Sequence, residues 1–572
     1  MTGKKSTTIS NAFAGLFRKQ IFIPIAALLL LTVFNLVIDP AFFKITLGTN
    51  SGGDPVLTGY VMTILDYGSE VAILAIGMTL VTAASGGQDI SVGAAVAIAG
   101  SVILRVLVGL GGDGTLQAPV IVAFLAACLV AMIFGAFNGV LVAIFKIQPM
   151  VATLILYTAG RSIAAWINNN ELPIVTDKTF TYFGGFIPGI PIPTPFFLAV
   201  VCVIIAMLVL KFTNLGLYTQ AVGINASSSR LNGLNPAFIK WLSFVILGLC
   251  VAVVALIKTS RLSTINYSVI AKDIEMDAIL AVALGGNVLS GGKFNIMASI
   301  LGAYVIQFLT TTLYKFNVSS DALPAYKAMV VIVLVVISAP AVKEKISSLG
   351  KSLRNRGRSP DMSNTKKAGS QALPNKPKRL TDTNLLLLIT IVVFLVMYIG
   401  AMIFLKRGFK ASDVFNILNA NAALIITSCG MSLVMITGGI DISVGGVVAL
   451  VSMSCAVYLD YHGGSVFASL LIALGIGLAF GAVQGFLVAY LDIQPFIVSL
   501  AGMFFARGMT TIVHTAPFNV ANDGFVALKD TRINVPGLGT VNKLGKYINA
   551  YVEIGVIVAV LVVIILFCIL KW

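Results

Sequence analysis

Charge is scarce in this 572-residue sequence: Asp, Glu, Lys and Arg make up 10% of it, against 58% hydrophobic residues. Soluble chains carry about 25% charged residues, and a water-facing surface cannot be covered without them. The shortage excludes a soluble enzyme, a disordered protein and a nucleic-acid-binding domain. Histidine is nearly missing, with only His462 and His514, so histidine-based catalysis and zinc ligation have no raw material. The cysteines Cys128, Cys202, Cys250, Cys429, Cys455 and Cys568 stand singly in apolar surroundings. They form no C-x-x-C pair and read as small buried hydrophobes. No G-x-x-x-x-G-K-[ST] occurs, since Gly350-Lys351-Ser352 has Lys345 where the leading glycine belongs. The chain therefore binds no ATP through a P-loop. Gly109-Leu-Gly111-Gly-Asp-Gly114 fits G-x-G-x-x-G formally but lacks a βαβ setting and reads as an extramembrane turn. No metal, cofactor or catalytic residue is expected, and energy must come from another subunit or an ion gradient.

What is present in abundance is apolar sequence long enough to cross a lipid bilayer, which takes about 20 residues per helix. In the first half the apolar cores are Ile21–Ile38, Val71–Ala84, Ala94–Leu110, Val120–Phe145, Met150–Ile167, Phe196–Lys211, Trp241–Ile257, Ala278–Ala283, Ile296–Leu313 and Met329–Val342. Several are short or broken by glycine, which membranes tolerate where protein or a water-filled cavity covers the freed backbone. Apolar runs resume at Leu385–Leu405, Ala422–Ile436, Val447–Leu459, Val466–Ala489, Phe496–Val513 and Ile554–Leu570. The first run ends at Asp39-Pro40 without a small-residue cleavage site and reads as an uncleaved span.

The net charge of +16 sits outside these runs. Lys4, Lys5, Arg18 and Lys19 precede the first span. Between Lys343 and Arg379 a basic stretch is opposed only by Glu344 and Asp361. Excess Lys and Arg beside spans marks the cytoplasmic side, and such a stretch also leans on anionic lipid heads. The N-terminus and the segment 343–384 are thus expected in the cytoplasm, the latter as a flexible linker. Nucleic acid is not needed to explain the charge.

The second half repeats the first. Ser85-Gly-Gly87-Gln-Asp89-Ile-Ser91-Val-Gly93 is matched by Thr437-Gly-Gly439-Ile-Asp441-Ile-Ser443-Val-Gly445. Asn138-Gly139, Lys146-Ile-Gln148-Pro149, Thr153 and Arg161 are matched by Gln484-Gly485, Asp492-Ile-Gln494-Pro495, Ser499 and Arg507. Transporters are commonly built from two related halves around a central pathway. The repeat is incomplete: Ile554–Trp572 corresponds to Phe197–Phe212, and nothing in the second copy corresponds to Thr213–Val342. A piece of a longer fusion or a frameshift would account for this.

In the glycine-rich loops, Asp89 and Ser91, like Asp441 and Ser443, either cap a short helix and satisfy freed amides or contact a polar substrate. Capping alone explains the residue types. Gln148-Pro149 and Gln494-Pro495 open helices, and Arg161 and Arg507 follow about three turns later. These arginines either snorkel, bond loop carbonyls, or touch a polar cargo. Gly135–Gly139 and Gly477-Gly481-Gly485 have the small-residue spacing that lets helix backbones approach. The polar stretch Gly223-Ile-Asn225 through Arg230-Leu-Asn-Gly233 reads as a connecting loop or as a short cytoplasmic helix for a partner. Glu275 and Asp277 point to different sides of a helix and do not form a metal clamp; at its start they suit its dipole.

At these residues the chain resembles the permease subunits of bacterial ABC importers for monosaccharides, the ribose, galactose and galactofuranose branch. One family signature resembles G-G-[IT]-D-[LI]-S-V-G, intact in the second copy and with Gln88 substituted in the first. A second resembles E-L-D-A-I to S-G-G, here Glu275-Met-Asp277-Ala-Ile279 to Ser290-Gly-Gly292. The resemblance covers nearly the whole chain outside the linker. Copy one resembles a galactofuranose-type permease through Ala75–Leu80 and Ile147–Leu156, and copy two its usual operon companion through Ser499–Gly508.

The resemblance implies an all-α polytopic membrane protein of two tandem permease units with broken or re-entrant helices. The first is 1–342, with about eight to ten membrane helices; the second, 385–572, is incomplete after about six. It implies a multi-pass protein of the bacterial inner membrane, not itself an enzyme. It works by alternating access with cytoplasmic ABC ATPase subunits and an extracytoplasmic sugar-binding protein. Pathway or gate residues would be Gly87, Asp89, Ser91, Gly93, Asn138, Gln148, Thr153 and Arg161 in one half. Opposite them would stand Gly439, Asp441, Ser443, Gly445, Gln484, Gln494, Ser499 and Arg507. Gly223, Asn225, Arg230 and Gly233 match the loop that rests on the ATPase. The competing class is a secondary transporter using Asp89, Asp441 or Glu275 as a proton or sodium site. A membrane-embedded enzyme is a weaker third, lacking any metal or nucleophile constellation.

Overall fold

The computed structural model describes residues 21–49, 53–109, 114–338, 380–404, 411–541 and 547–571. The basic N-terminus, most of the expected linker and part of the turn at Gly109–Gly114 lie outside them. Every expected apolar core coincides with a helix, and among the described residues eleven helices are long and apolar enough to span a membrane. Phe22–Ile38 and Val92–Val108, at 17 residues each, are at the lower limit for a crossing, and Ile274–Leu284, at 11 residues, falls short of one. Two compact units form, one of Met1–Lys343 with Ala482–Ile512, the other of Glu344–Gly481 with Val513–Trp572.

In the first unit the helix Tyr60–Ser85 is the axis. Pro236–Leu262, Ile274–Leu284, Ile296–Lys315 and Thr194–Phe212 pack around it. Small residues set the closest approaches: a Cβ on Gly77 would fall 2.7 Å from Leu247 Cα, and one on Gly248 2.5 Å from the Ala131 carbonyl. Gly135 and Gly139 meet the backbone of Phe244 and Trp241 on Pro236–Leu262, so their spacing is used for helix contact.

The axis carries a buried charge network that the apolar-run reading cut off. The core expected from Val71 begins after Glu70, yet the helix starts at Tyr60 and buries Glu70. Lys258 Nζ lies 2.6 Å from Glu70 Oε2, Arg261 pairs with both Glu70 and Asp66, and the Arg261 guanidinium stacks 4.2 Å from the Tyr67 ring centroid. Mutual pairing lets Tyr60–Ser85 and Pro236–Leu262 continue through residues that would otherwise end a span. At the helix ends Asp39, just past Phe22–Ile38, pairs with Lys315, and that bond holds its carboxyl below the usual carboxylate range.

Second-copy residues complete this unit. Gly508 on Pro495–Val513 sits against Ala325, and Leu487, Ile493 and Val498 pack with Ile332. In the second unit Ile554–Lys571 lies on Ala411–Ile436 through Ala422, Val556 and Ala559. Two small antiparallel hairpins, Thr46–Thr49 with Pro55–Thr58 and Arg532–Val541 with Tyr547–Glu553, lie outside the helices and were not anticipated. Asn419 clamps the second hairpin, donating to the Tyr551 carbonyl at 2.9 Å and accepting from Glu553 N at 3.0 Å.

Candidate functional site

The loop between Tyr60–Ser85 and Val92–Val108 is largely buried and held by several hydrogen bonds. Gly86 ends the preceding helix at φ +71, a left-handed conformation that favours glycine. Asp89 Oδ1 accepts from Ser91 N at 2.8 Å and Ser91 Oγ at 2.6 Å. Asn138 Nδ2 reaches Asp89 Oδ2 at 3.3 Å and Ser91 Oγ at 3.0 Å. Thr153 Oγ1 accepts from Ile90 N at 3.2 Å, seating the loop on the first turn of Pro149–Ile167. Gly87 lies against the Pro149 ring. Asp89, Ser91, Asn138 and Thr153 are thus brought together, with Asp89 turned inward onto Ser91 and no metal-ligand cluster among the described residues.

Two distant segments converge on this loop. Gln88 Nε2 donates to the Leu289 carbonyl at 3.2 Å, and a Cβ on Gly86 would meet the Ser290 carbonyl at 2.7 Å. Gly292 N donates to the Ala83 carbonyl at 2.9 Å, and a Cβ on Gly223 would fall on that same oxygen. The three motifs therefore share one joint: the Asp89 loop, the Ser290-Gly-Gly292 turn and the stretch beginning at Gly223. That stretch is helical, Leu215–Ile224 then Ala226–Leu231, with Asn225 accepting from Ser228 N at 3.0 Å between them. Its outer side is polar but also presents Ile224 and Leu231, the latter 90% exposed. Gly233, at φ +83, turns the chain into the next helix.

Gly93 packs against the buried Glu275, where a Cβ would collide with the Glu275 carboxylate and with the Ala271 carbonyl. Asp277, two residues on, turns away to Lys327 Nζ at 3.2 Å. Arg161 bonds loop carbonyls, donating to Tyr267 O at 2.8 Å and Ile270 O at 3.1 Å. Arg507 reaches the same loop, 3.5 Å from Asp273 Oδ1. Gln148 is solvent-facing beside the loop and stands apart from the Asp89 cluster.

The second copy repeats the local geometry. Gly438 has φ +82, and Asp441 Oδ1 accepts from Ser443 N at 2.8 Å and Ser443 Oγ at 2.6 Å. Asp492 matches Lys146 in left-handed backbone, at φ +54 and +56. Ser499 Oγ donates to Phe496 O at 3.1 Å as Thr153 Oγ1 does to Met150 O at 3.3 Å. Around the loop the settings part: a Cβ on Gly438 or Gly445 would meet nothing within 4 Å among the described residues. Asp441, Ser443, Gly439 and Gly445 belong to the second unit, whereas Gln484, Gln494, Ser499 and Arg507 belong to the first.

Sequence reasoning missed Glu70, Asp66, Lys258 and Arg261. The available signal was two acids at i, i+4 facing two cations at i, i+3 inside apolar surroundings.

The family model described as branched-chain amino acid transport system / permease component matches residues 60–339 and again 414–571. The galactofuranose transporter permease protein of Escherichia coli (strain K12) is 35% identical over 332 residues, covering 58% of this chain and 92% of that protein. The fructose import permease protein of Bifidobacterium longum (strain NCC 2705) is 33% identical over 347 residues, 60% of this chain and 94% of its own. The ribose import permease protein of Escherichia coli (strain K12) is 33% identical over 315 residues, 54% of this chain and 91% of that one.

Proposed function

The chain belongs to the branched-chain amino acid transport system / permease component family, and from that premise we propose that it is the membrane pathway of an ATP-driven importer of a monosaccharide. It is an ABC-type permease, a multi-pass membrane protein resembling sugar import permeases. The cargo we assign is a neutral monosaccharide able to close a five-membered ring, since galactofuranose, fructose and ribose, named for its relatives, all do so. An extracytoplasmic sugar-binding protein delivers it, and separate cytoplasmic ATPase subunits drive the cycle. The N-terminus lies in the cytoplasm, with permease units 1–342 and 385–572 joined by a cytoplasmic linker at 343–384.

The observation that supports this most is the joint at Ala83. Its carbonyl accepts from Gly292 N and lies against Gly223, so the stretch exposing Ile224 and Leu231 abuts the last turn of Tyr60–Ser85, which leads into the Asp89 loop, without a side chain between. A push on the Gly223–Gly233 stretch by an ATPase reaches that loop through backbone contact. The cycle moves because ATP hydrolysis favours one permease state over the other. Asp89 and Ser91, with Asp441 and Ser443, shape the gates as hydrogen-bonded turns. Asn138, Thr153, Arg161 and Arg507 hold neighbouring loops in place.

The test is uptake of labelled ribose, fructose or galactofuranose into vesicles holding the full chain, its ATPase and its binding protein. Accumulation should need ATP and the binding protein and survive collapse of the ion gradients. Accumulation without ATP that vanishes when those gradients collapse would replace this reading with a gradient-driven transporter.

A further inference from the structure

Two polar cavities in the first unit treat their charges differently. One, of about 630 Å³, is lined by Glu70, Asp277, Lys258, Lys272 and Lys327, and all of these charges except Lys272 stand in ion pairs. The other, of about 680 Å³, is lined by Lys146, Arg230 and Lys240, together with Ser85, Ser227 and Gln148. No carboxylate lines it, and among the described residues none of its three cations makes an ion pair. Both volumes lie within the range of about 300–1,000 Å³ typical of small-molecule sites. Three like charges around one recess raise its potential and draw in a counter-anion. The hydroxyl at Ser227 adds a donor of the kind phosphate oxygens accept.

The surroundings identify the source of the anion. Ile144 and Phe145, immediately before Lys146, are 62% and 67% exposed. The helix Val120–Ala143 that leads to them shows Leu129, Ile133 and Phe137 on its outer side. A cation-lined recess at the end of an apolar outer helix face matches a lipid, headgroup in the recess and chains along the helix. We propose that the cavity bounded by Lys146, Arg230 and Lys240 seats the phosphate of an anionic membrane phospholipid. The lipid then bridges the Lys146–Pro149 loop and the Ala226–Leu231 helix, so membrane composition bears on the stretch assigned to ATPase docking. The assignment of the lipid does not depend on which sugar is carried.

The experiment places the purified full chain in nanodiscs containing equal phosphatidylglycerol and phosphatidylcholine, and native mass spectrometry counts the lipid retained. Wild type should hold phosphatidylglycerol in preference to phosphatidylcholine. The double variant Lys146→Gln/Lys240→Gln should lose that preference by about tenfold or more, the scale of removing two interfacial cations. Lys146→Arg/Lys240→Arg should keep it, as should Lys211→Gln, which removes a cation outside the cavity. Wild type without a preference, or a Gln double variant that retains it, overturns the proposal. So does thermal stabilisation by millimolar inorganic phosphate with no lipid selectivity, which would mark a free-anion site. If the Gln double variant keeps its lipid but no longer binds the ATPase, the cavity receives an acidic protein group and the lipid assignment falls. Should that variant fail to fold, the wild-type preference and the Arg pair still decide.

Discussion

The two copies of the permease unit share a loop and differ in everything that surrounds it. Both use a glycine at positive φ and an aspartate accepting from a serine two residues on. Yet 78% of the most apolar stretch of Tyr60–Ser85 is buried, against 6% of that in its counterpart Ser412–Ile436. The helices covering the first, Pro236–Leu262, Ile274–Leu284 and Ile296–Lys315, come from the segment Thr213–Val342 that the second copy does not repeat in this sequence. The contrast separates two origins of structure. Loop geometry follows from a few adjacent residues, whereas burial is supplied by helices far along the chain.

That contrast breaks most sharply at glycine. Gly93→Ala should destabilise the chain by about 3 kcal/mol, because a Cβ meets both Glu275 and the Ala271 carbonyl. Gly445→Ala should stay within about 0.5 kcal/mol. Thermal unfolding of the two variants in detergent checks the pair; equal losses would mean that the second loop is covered as fully as the first. Next comes the Asp–Ser turn. Asp89→Ala removes an acceptor bonded to Ser91 and Asn138 and should cost about 2–3 kcal/mol. Asp441→Ala, in a half-exposed setting, should cost about 1 kcal/mol. The same melting measurement ranks them.

A smaller difference is expected at the paired arginines. Arg161→Lys gives up a guanidinium that serves two carbonyls and should lose about 1–2 kcal/mol. Arg507→Lys alters a partly exposed pair at 3.5 Å and should lose less than about 1 kcal/mol. The smallest effect belongs to Asp39, whose partner Lys315 lies in the unrepeated segment. Its carboxyl titrates below the ordinary range in the folded chain. The stability it contributes is therefore present above the unfolded value of about 4 and lost as pH falls through the lower folded value. Melting curves of wild type and Asp39→Asn should differ slightly at neutral pH and converge in acid.

Much of this was legible in the sequence where the information is local. The apolar cores, the helix starts at Pro149 and Pro495, and the Asp–Ser turns at Asp89 and Asp441 all depend on neighbours within a few residues. Left-handed backbone at Lys146 and Asp492 repeats for the same reason. Glu70 shows the limit. Hydropathy places a charge outside a span, and only the pairing with Lys258 and Arg261, far along the chain, brings it inside. The meeting of Gly86, Ser290 and Gly223 was equally invisible, because each motif explains itself locally as a turn or a loop. The hairpin Arg532–Val541 with Tyr547–Glu553 escapes for a plainer reason: its strands are too short and polar to register as apolar runs.

In the proposed cycle the Gly223–Gly233 stretch moves the Asp89 loop through the Ala83 joint. Gly223→Ala tests it most directly, by measuring sugar uptake and ATP hydrolysis together in vesicles containing the full chain, its ATPase and its binding protein. The variant should still copurify with the ATPase and hydrolyse ATP while uptake falls by about tenfold or more, as expected when a packed contact is displaced. Uptake at the wild-type rate with the extra methyl in place would contradict it.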